Sequence, residues 1–269
     1  MKRLVLHLLL LGAAVSFIYP FLWMASVSLK PGAEAAAMNL WSSNFTFANY
    51  AAVFEKIPIG RALFNSFLVA LCTTLSVLFF SSMAGYALAK LKFTGKAAVL
   101  MAVLFTMTIP GQLTIIPLYT MIVKFGWMDS YAGLIAPGMI SAMGILIFRA
   151  TFMSIPDELL EAARMEGCGE LQILARIFWP LSKPAMVTVG IVTFMGSWNE
   201  VLWPMMVIRQ QNMMTMPQMI TMFSVGGQAG GELGVELAAS MILVIPIVLA
   251  YSFFQKYFIE GIATTGIKG

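Results

Sequence analysis

The chain has 269 residues, 60% of them apolar and 10% charged, with a mean hydropathy of +0.88; a water-soluble domain carries about a quarter charged residues, so this composition indicates a polytopic membrane protein. Spans of roughly 20 residues leave space for about six, with short loops and no nucleotide-hydrolysing domain. The net charge of +4 is spread over short loops without a run of five basic residues, which speaks against a nucleic-acid surface. Cys72 and Cys168 lack a CxxC or histidine partner, so redox and zinc chemistry are unsupported.

Met1-Lys2-Arg3 and the apolar run that follows have the look of a signal sequence. The run continues past Tyr19-Pro20 to Leu29 without a small-x-small cleavage pattern near its end, and is expected to stay as the first span. Further apolar stretches lie at 62–89, 97–123, 130–148 and 237–255, and a stretch at 184–208 is broken only by Glu200. The expected fold is all-α with six transmembrane helices, the whole of 1–269 forming a single domain.

With both termini on one side, the basic residues on that side are Lys2, Arg3, Lys90, Lys92, Lys96, Arg149, Arg164, Arg176, Lys183, Lys256 and Lys268. The other side has Lys30, Lys56, Arg61, Lys124 and Arg209. Eleven against five places both termini and the Glu161-Ala162-Ala163 loop in the cytoplasm by the positive-inside rule. The outside then receives 30–61 and the Gly-rich 226–231.

Ser81, Ser82, Ala84, Gly85 and Ala87 give the second span a small-residue face for close helix packing. Pro20, Pro110, Pro117, Pro137, Pro204 and Pro246 interrupt five of the six stretches, a pattern that favours a transporter over a simple anchor because freed carbonyls need protein or water. The twenty-two methionines read first as gap-fillers and second as an adaptable apolar lining.

The segment 149–183 carries five carboxylates and four basic residues, so it is expected in water. Ser154-Ile155-Pro156-Asp157 is a helix start, with a serine cap, a first-turn proline and an acidic residue near the positive helix end. Leu159, Leu160, Ala162 and Ala163 supply a short apolar face, and the alanines admit another backbone. Gly167 and Gly169 are expected to end this helix in left-handed backbone, and a second helix from about residue 170 to 179 is stopped by Pro180.

Within the fifth stretch, Trp198, Asn199, Glu200 and Trp203 form the most informative intramembrane cluster. Glu200 lies about 24 Å along a helix starting at residue 184, where a bare carboxylate costs at least about 2.5 kcal/mol. One reading is a hydrated path in which Asn199 and Glu200 bond hydroxyls of a cargo while Trp198 or Trp203 stacks on a ring; the other is a structural contact to a partner. His7 is the only histidine and the glycines at 226–231 lack a Lys-Ser/Thr ending, so neither a catalytic constellation nor a phosphate loop is present in the sequence.

Glu161-Ala162-Ala163, Gly167 four residues later, and Pro180-Leu181 after an apolar run resemble the signature loop of importer-type ABC permeases. Ile155-Pro156-Asp157-Glu158-Leu159 and Leu181-Ser182-Lys183-Pro184 are similar to the carbohydrate-uptake branch, the second permease subunit of maltose-type systems, as are Ile109-Pro110-Gly111-Gln112, Trp198-Asn199-Glu200 and the tail to Gly269. Glu166 stands where the family usually has Asp, and Cys168 where it has Ala.

The resemblance implies a permease subunit, not itself an enzyme, of an ATP-driven sugar or oligosaccharide importer in the plasma or inner membrane of a prokaryote. Its partners would be a second permease subunit in a heterodimer, two ATP-binding subunits, an extracytoplasmic sugar-binding protein and membrane lipid. ATP and Mg would be held by the ATP-binding subunits, with no cofactor or metal in this chain. Glu161, Ala162, Ala163, Glu166, Gly167 and Pro180, in a cytoplasmic loop at about 154–183, would couple to the ATPase. The tail at about 256–269, with Gly266 and Lys268, would reach into the ATPase dimer as a thin, flexible strand. A polyol or a sugar phosphate is the alternative cargo. A secondary transporter is the mechanistic rival, disfavoured by the lack of an evident repeat and by a single buried acid.

Overall fold

A backbone in hydrocarbon must satisfy its own N–H and C=O groups, so long apolar stretches fold as helices. The computed structural model describes residues 2–35, 39–42, 44–225 and 232–266, and all regular structure among them is helical. Arg3–Ser28 and Ile59–Lys90 are each long and apolar enough to cross a membrane. Three bent pairs reach that length and apolarity only together, each as a broken span or a re-entrant loop: Lys96–Thr108 with Gly111–Lys124 at 103°, Tyr131–Gly138 with Ala142–Met153 at 45°, and Glu170–Leu181 with Lys183–Trp198 at 89°. The apolar stretch Leu233–Leu249 is a shorter helix, and with it each of the six expected stretches is helical among the described residues.

The prolines divide by position. Pro110 sits at the 103° bend and Pro137 in the 3-10 turn Ala136–Gly138, whereas Pro20, Pro117 and Pro246 lie inside helices that continue through them. The expected fifth stretch is corrected: its helix ends at Trp198 and a short helix Leu202–Val207 follows, while at its other end Lys183–Trp198 meets Glu170–Leu181 at a bend of 89°.

The chain forms two compact units. One comprises Met1–Leu63 and Thr215–Ala250. In it the segment after the first helix is tied to that helix's end, since Asn49 in the helix Ala48–Lys56 donates through Nδ2 to Ser28 O at 2.9 Å and Lys30 O at 2.7 Å. Gly234 lets the last helix approach this amide; a Cβ there would lie 2.6 Å from Asn49 Nδ2. A cavity of about 460 Å³ opens beside Asn44, Phe45, Asn49 and Glu232. The first helix buries none of its apolar window in the chain, which costs nothing where the surroundings are lipid or another membrane subunit.

The other unit comprises Phe64–Met214 and Tyr251–Gly269 and is organised on the helix Ile59–Lys90. The small-residue face packs as expected. A Cβ on Gly85 would lie 2.7 Å from Phe148 Cβ, Ser141 N donates to Ser81 Oγ at 3.0 Å, and Trp179 Nε1 donates to Ser82 Oγ at 3.0 Å. Below these, Tyr86, Phe148, Phe152 and Phe178 are buried together with Leu160 and Ala163. The helix Leu233–Gly266 continues through most of the region expected as a thin strand, correcting that expectation as far as Gly266; Lys268 and the glycines at 226–231 lie outside the described residues.

Candidate functional site

The helix Asp157–Met165 starts after Pro156, which serves as its N-cap without a side-chain bond. Ser154 does not cap it. The serine still completes the preceding helix, with Ser154 N and Oγ both donating to Thr151 O, so the expected serine cap is corrected. Asp157 and Glu158 instead stabilise the exposed N–H groups of the first turn by charge.

At the other end, Gly167 has φ of +82°, Cys168 N donates to Ala163 O at 3.0 Å and Gly167 N to Arg164 O at 3.0 Å. This pair of bonds is the Schellman motif, which uses up carbonyls that the helix leaves open. Gly169 is not left-handed; with φ of −73° and ψ of 158° it opens the next helix.

At 100° per residue, Leu160 and Ala163 lie on one side of this helix, and Glu158, Glu161, Ala162 and Met165 share an arc of about 100° on the opposite side. Burial follows the same division: Leu160 and Ala163 are buried, the other four are exposed, and Met165 is 85% exposed. Ala162 and Ala163 therefore do different things. Ala163 lets the helix sit close on the aromatic core of its own chain, and Ala162 leaves a low spot at the edge of the outward arc, one turn on from Glu158.

Polar contacts fasten the helix to the end of Ile59–Lys90. Lys90 Nζ donates to Ile155 O at 2.6 Å and to Asp157 Oδ1 at 2.5 Å. The Lys90 side chain is 6% exposed and that of Asp157 71%. The ammonium group beside Asp157, first through its hydrogen bond and then through its charge, holds that carboxyl below its ordinary value. Tyr86 Oη donates to Glu170 Oε2 at 2.5 Å, and Arg164 Nε donates to Glu170 Oε1 at 2.8 Å.

Pro180 does not stop the second helix. A π-helical turn at Leu174–Phe178 precedes Trp179–Leu181, and the backbone leaves the helix only at Ser182, with φ of −109° and ψ of 22°. Proline removes an N–H and crowds the carbonyl four residues before it, and a wider turn relieves both.

The second candidate cluster straddles a helix break. Asn199 and Glu200 are exposed, while Trp198 is 5% exposed and stacks on Phe194 at 5.9 Å between ring centroids. Glu200 Oε1 accepts from Trp203 N at 3.1 Å and so closes the start of Leu202–Val207; Trp203 Nε1 donates to Gly133 O at 3.0 Å. A neighbouring network had no sequence signal beyond isolated polar residues. Asp129, at φ of 51°, accepts from Arg209 N and Gln210 N, and Asn65 donates to Asn212 O at 3.0 Å and Met214 O at 2.9 Å. The segment after Val207 is thereby held by side chains that bond backbone.

Residues 78–264 match the family of binding-protein-dependent transport system inner membrane components. The chain belongs to this family. It is 35% identical over 99% of its length to the arabinooligosaccharides transport system permease protein AraQ of Bacillus subtilis (strain 168), covering 96% of that protein. It is 32% identical over 98% of its length to the trehalose transport system permease protein SugB of Mycobacterium tuberculosis (strain CDC 1551 / Oshkosh), again covering 96%. A chain in the crystal structure of a bacterial ABC transporter involved in the import of the acidic polysaccharide alginate superposes with a TM-score of 0.83 at 25% identity, with 96% of each chain covered. These relatives are transport permeases, and a multi-pass membrane protein is what the family membership and the apolar helices establish.

Proposed function

We propose that this chain is one permease subunit of an ATP-driven importer for a sugar or oligosaccharide, and that the helix Asp157–Met165 is where it couples to ATP hydrolysis. It works as one permease domain, paired with a second permease subunit on two ATP-binding subunits that hold ATP and Mg, and receives cargo from an extracytoplasmic binding protein. Both termini and the helix Asp157–Met165 face the cytoplasm, as the distribution of basic residues supports.

The observation that carries the coupling reading is the outward arc of Glu158, Glu161, Ala162 and Met165. A methionine this exposed among carboxylates cannot rest against hydrocarbon, because the acids beside it would be dragged in. A protein recess with basic or backbone donors fits both kinds of group. Glu161 supplies a charge-assisted hydrogen bond of roughly 1.5 to 3 kcal/mol when well formed, and Ala162 admits the partner's backbone. Glu166 and Gly167 set the exit of the chain, and Pro180 sets the π-helical turn that leads back to the span.

Asn199 and Glu200 brace or line the translocation path at the break after Trp198, with Trp203 behind them. The tail through Gly266 and Lys268 contacts the ATPase dimer. Sugar as cargo is supported by what AraQ and SugB are named for. Reconstituting the complete importer in proteoliposomes tests this reading: uptake of labelled arabino-oligosaccharide or trehalose should require ATP and the binding protein. Uptake without ATP would contradict the mechanism, and ATP-dependent uptake confined to a polyol or a sugar phosphate would replace the cargo.

A further inference from the structure

Tyr86 and Lys90 are four residues apart, so they lie on one face of the helix Ile59–Lys90, one turn from each other. They grip opposite sides of the docking segment. Lys90 holds the entry, through Ile155 O and Asp157. Tyr86 holds the exit, through Glu170, the first residue of the next helix. Glu170 in turn holds Arg164 on the docking helix itself, at 2.8 Å, so its two carboxylate oxygens join the span on one side to the docking helix on the other.

Packing does not require that hydroxyl. The Tyr86 ring stands edge-on to Phe178 at 4.9 Å and to Phe152 at 6.3 Å, contacts that a phenylalanine would keep. The oxygen is aimed past the ring cluster at a carboxylate whose side chain is 43% exposed. The left-handed Gly167 between Arg164 and Glu170 is a point where the segment would otherwise swing, and Arg164 and Tyr86 bridge it together.

We propose that Tyr86 and Glu170 are positioning residues for coupling, whose hydrogen bond makes the helix Asp157–Met165 and the span Ile59–Lys90 move as one body. A displacement of the docking helix by the ATPase is then delivered to the span without loss at Gly167. This rests on the docking reading of the helix Asp157–Met165 given above.

The test uses the complete importer in proteoliposomes and reads ATP hydrolysed per sugar delivered, retention of the ATP-binding subunits on purification, and the unfolding temperature. Tyr86→Phe should keep the subunits and an unfolding temperature close to wild type while raising ATP used per sugar about fivefold, the factor that one ordinary hydrogen bond supplies; Glu170→Met, which also frees Arg164, should raise it at least as much. The double variant should be no worse than Glu170→Met alone, because that substitution already removes the Tyr86 bond together with the one to Arg164. Met165→Arg, on the outward arc, should release the ATP-binding subunits. Normal stoichiometry in Tyr86→Phe, an additive double loss, or a loss matched by a fall in unfolding temperature would overturn the proposal. If Met165→Arg releases the ATPase and Tyr86→Phe is still normal, only the positioning role fails. If Met165→Arg stays fully coupled, the docking reading fails and takes this inference with it.

Discussion

Gly85 and Phe148 meet so closely that a methyl group on the glycine would lie 2.7 Å from the Phe148 Cβ and 3.0 Å from the Arg149 backbone nitrogen. The span Ile59–Lys90 therefore touches the helix Ala142–Met153 nearly backbone to backbone at the level of the aromatic core. Gly85→Val would force these helices apart and is expected to cost about 1 to 3 kcal/mol, the range for overpacking. Thermal unfolding in detergent checks this; a wild-type midpoint would mean that the helices separate freely.

Gly167 makes the opposite case, since nothing lies within 4 Å of where its Cβ would go, and only its φ of +82° resists substitution. Gly167→Val should keep membrane insertion and binding-protein recognition but lose coupling or release the ATPase, at a backbone cost of about 1 to 3 kcal/mol. Gly167→Asn, which tolerates left-handed backbone, should stay close to wild type. ATP-driven uptake by both variants decides: equal uptake would remove the conformational argument.

Lys90 joins two acceptors from a nearly buried position, so Lys90→Met leaves Ile155 O and Asp157 without it. The expected loss is about 1.5 to 3 kcal/mol for the charge-assisted bond from the nearly buried ammonium to the Ile155 carbonyl, with the exposed Asp157 adding little, read as a lower unfolding midpoint together with faster proteolysis near Pro156. An unchanged midpoint and cleavage pattern would show that Asp157–Met165 is held by its apolar face alone.

The pH dependence of that contact has a defined sign. Asp157 is held below its ordinary value of 3.8, so its contribution is present in full above that value and is lost only as pH falls through the lower, folded-state one. ATPase docking should accordingly be flat between about pH 5 and 8 as far as this group is concerned, and Asp157→Asn should remove any acid-side weakening below that window. Docking measured against pH in both proteins tests this; a wild-type change near neutrality abolished by Asp157→Asn would contradict it.

Much of this arrangement is legible in the residues. Six apolar stretches, the small-residue face at Ser81, Ser82 and Gly85, and the left-handed Gly167 all follow from local chemistry. The rest depends on partners far along the chain. Ser154 has the chemistry of a cap, yet it finishes the helix before it and Pro156 takes the cap position. Ala162 and Ala163 are identical as letters, and only the aromatic cluster under Leu160 turns one inward. Pro180 reads as a stop because a widened turn at Leu174–Phe178 has no local signal. Glu200 reads as an uncompensated charge because its backbone partner, Trp203 N, becomes available only once the helix breaks at Asn199.

The helix Asp157–Met165 as the ATPase-docking element is tested most directly by placing a photo-crosslinking residue at Met165, the exposed apolar side chain in the middle of the outward arc, in the assembled importer in native membranes. The adduct should contain the ATP-binding subunit, in a yield that Glu161 and Glu158 substitutions lower. An adduct with lipid or with the extracytoplasmic binding protein, and none with the ATP-binding subunit, would contradict it.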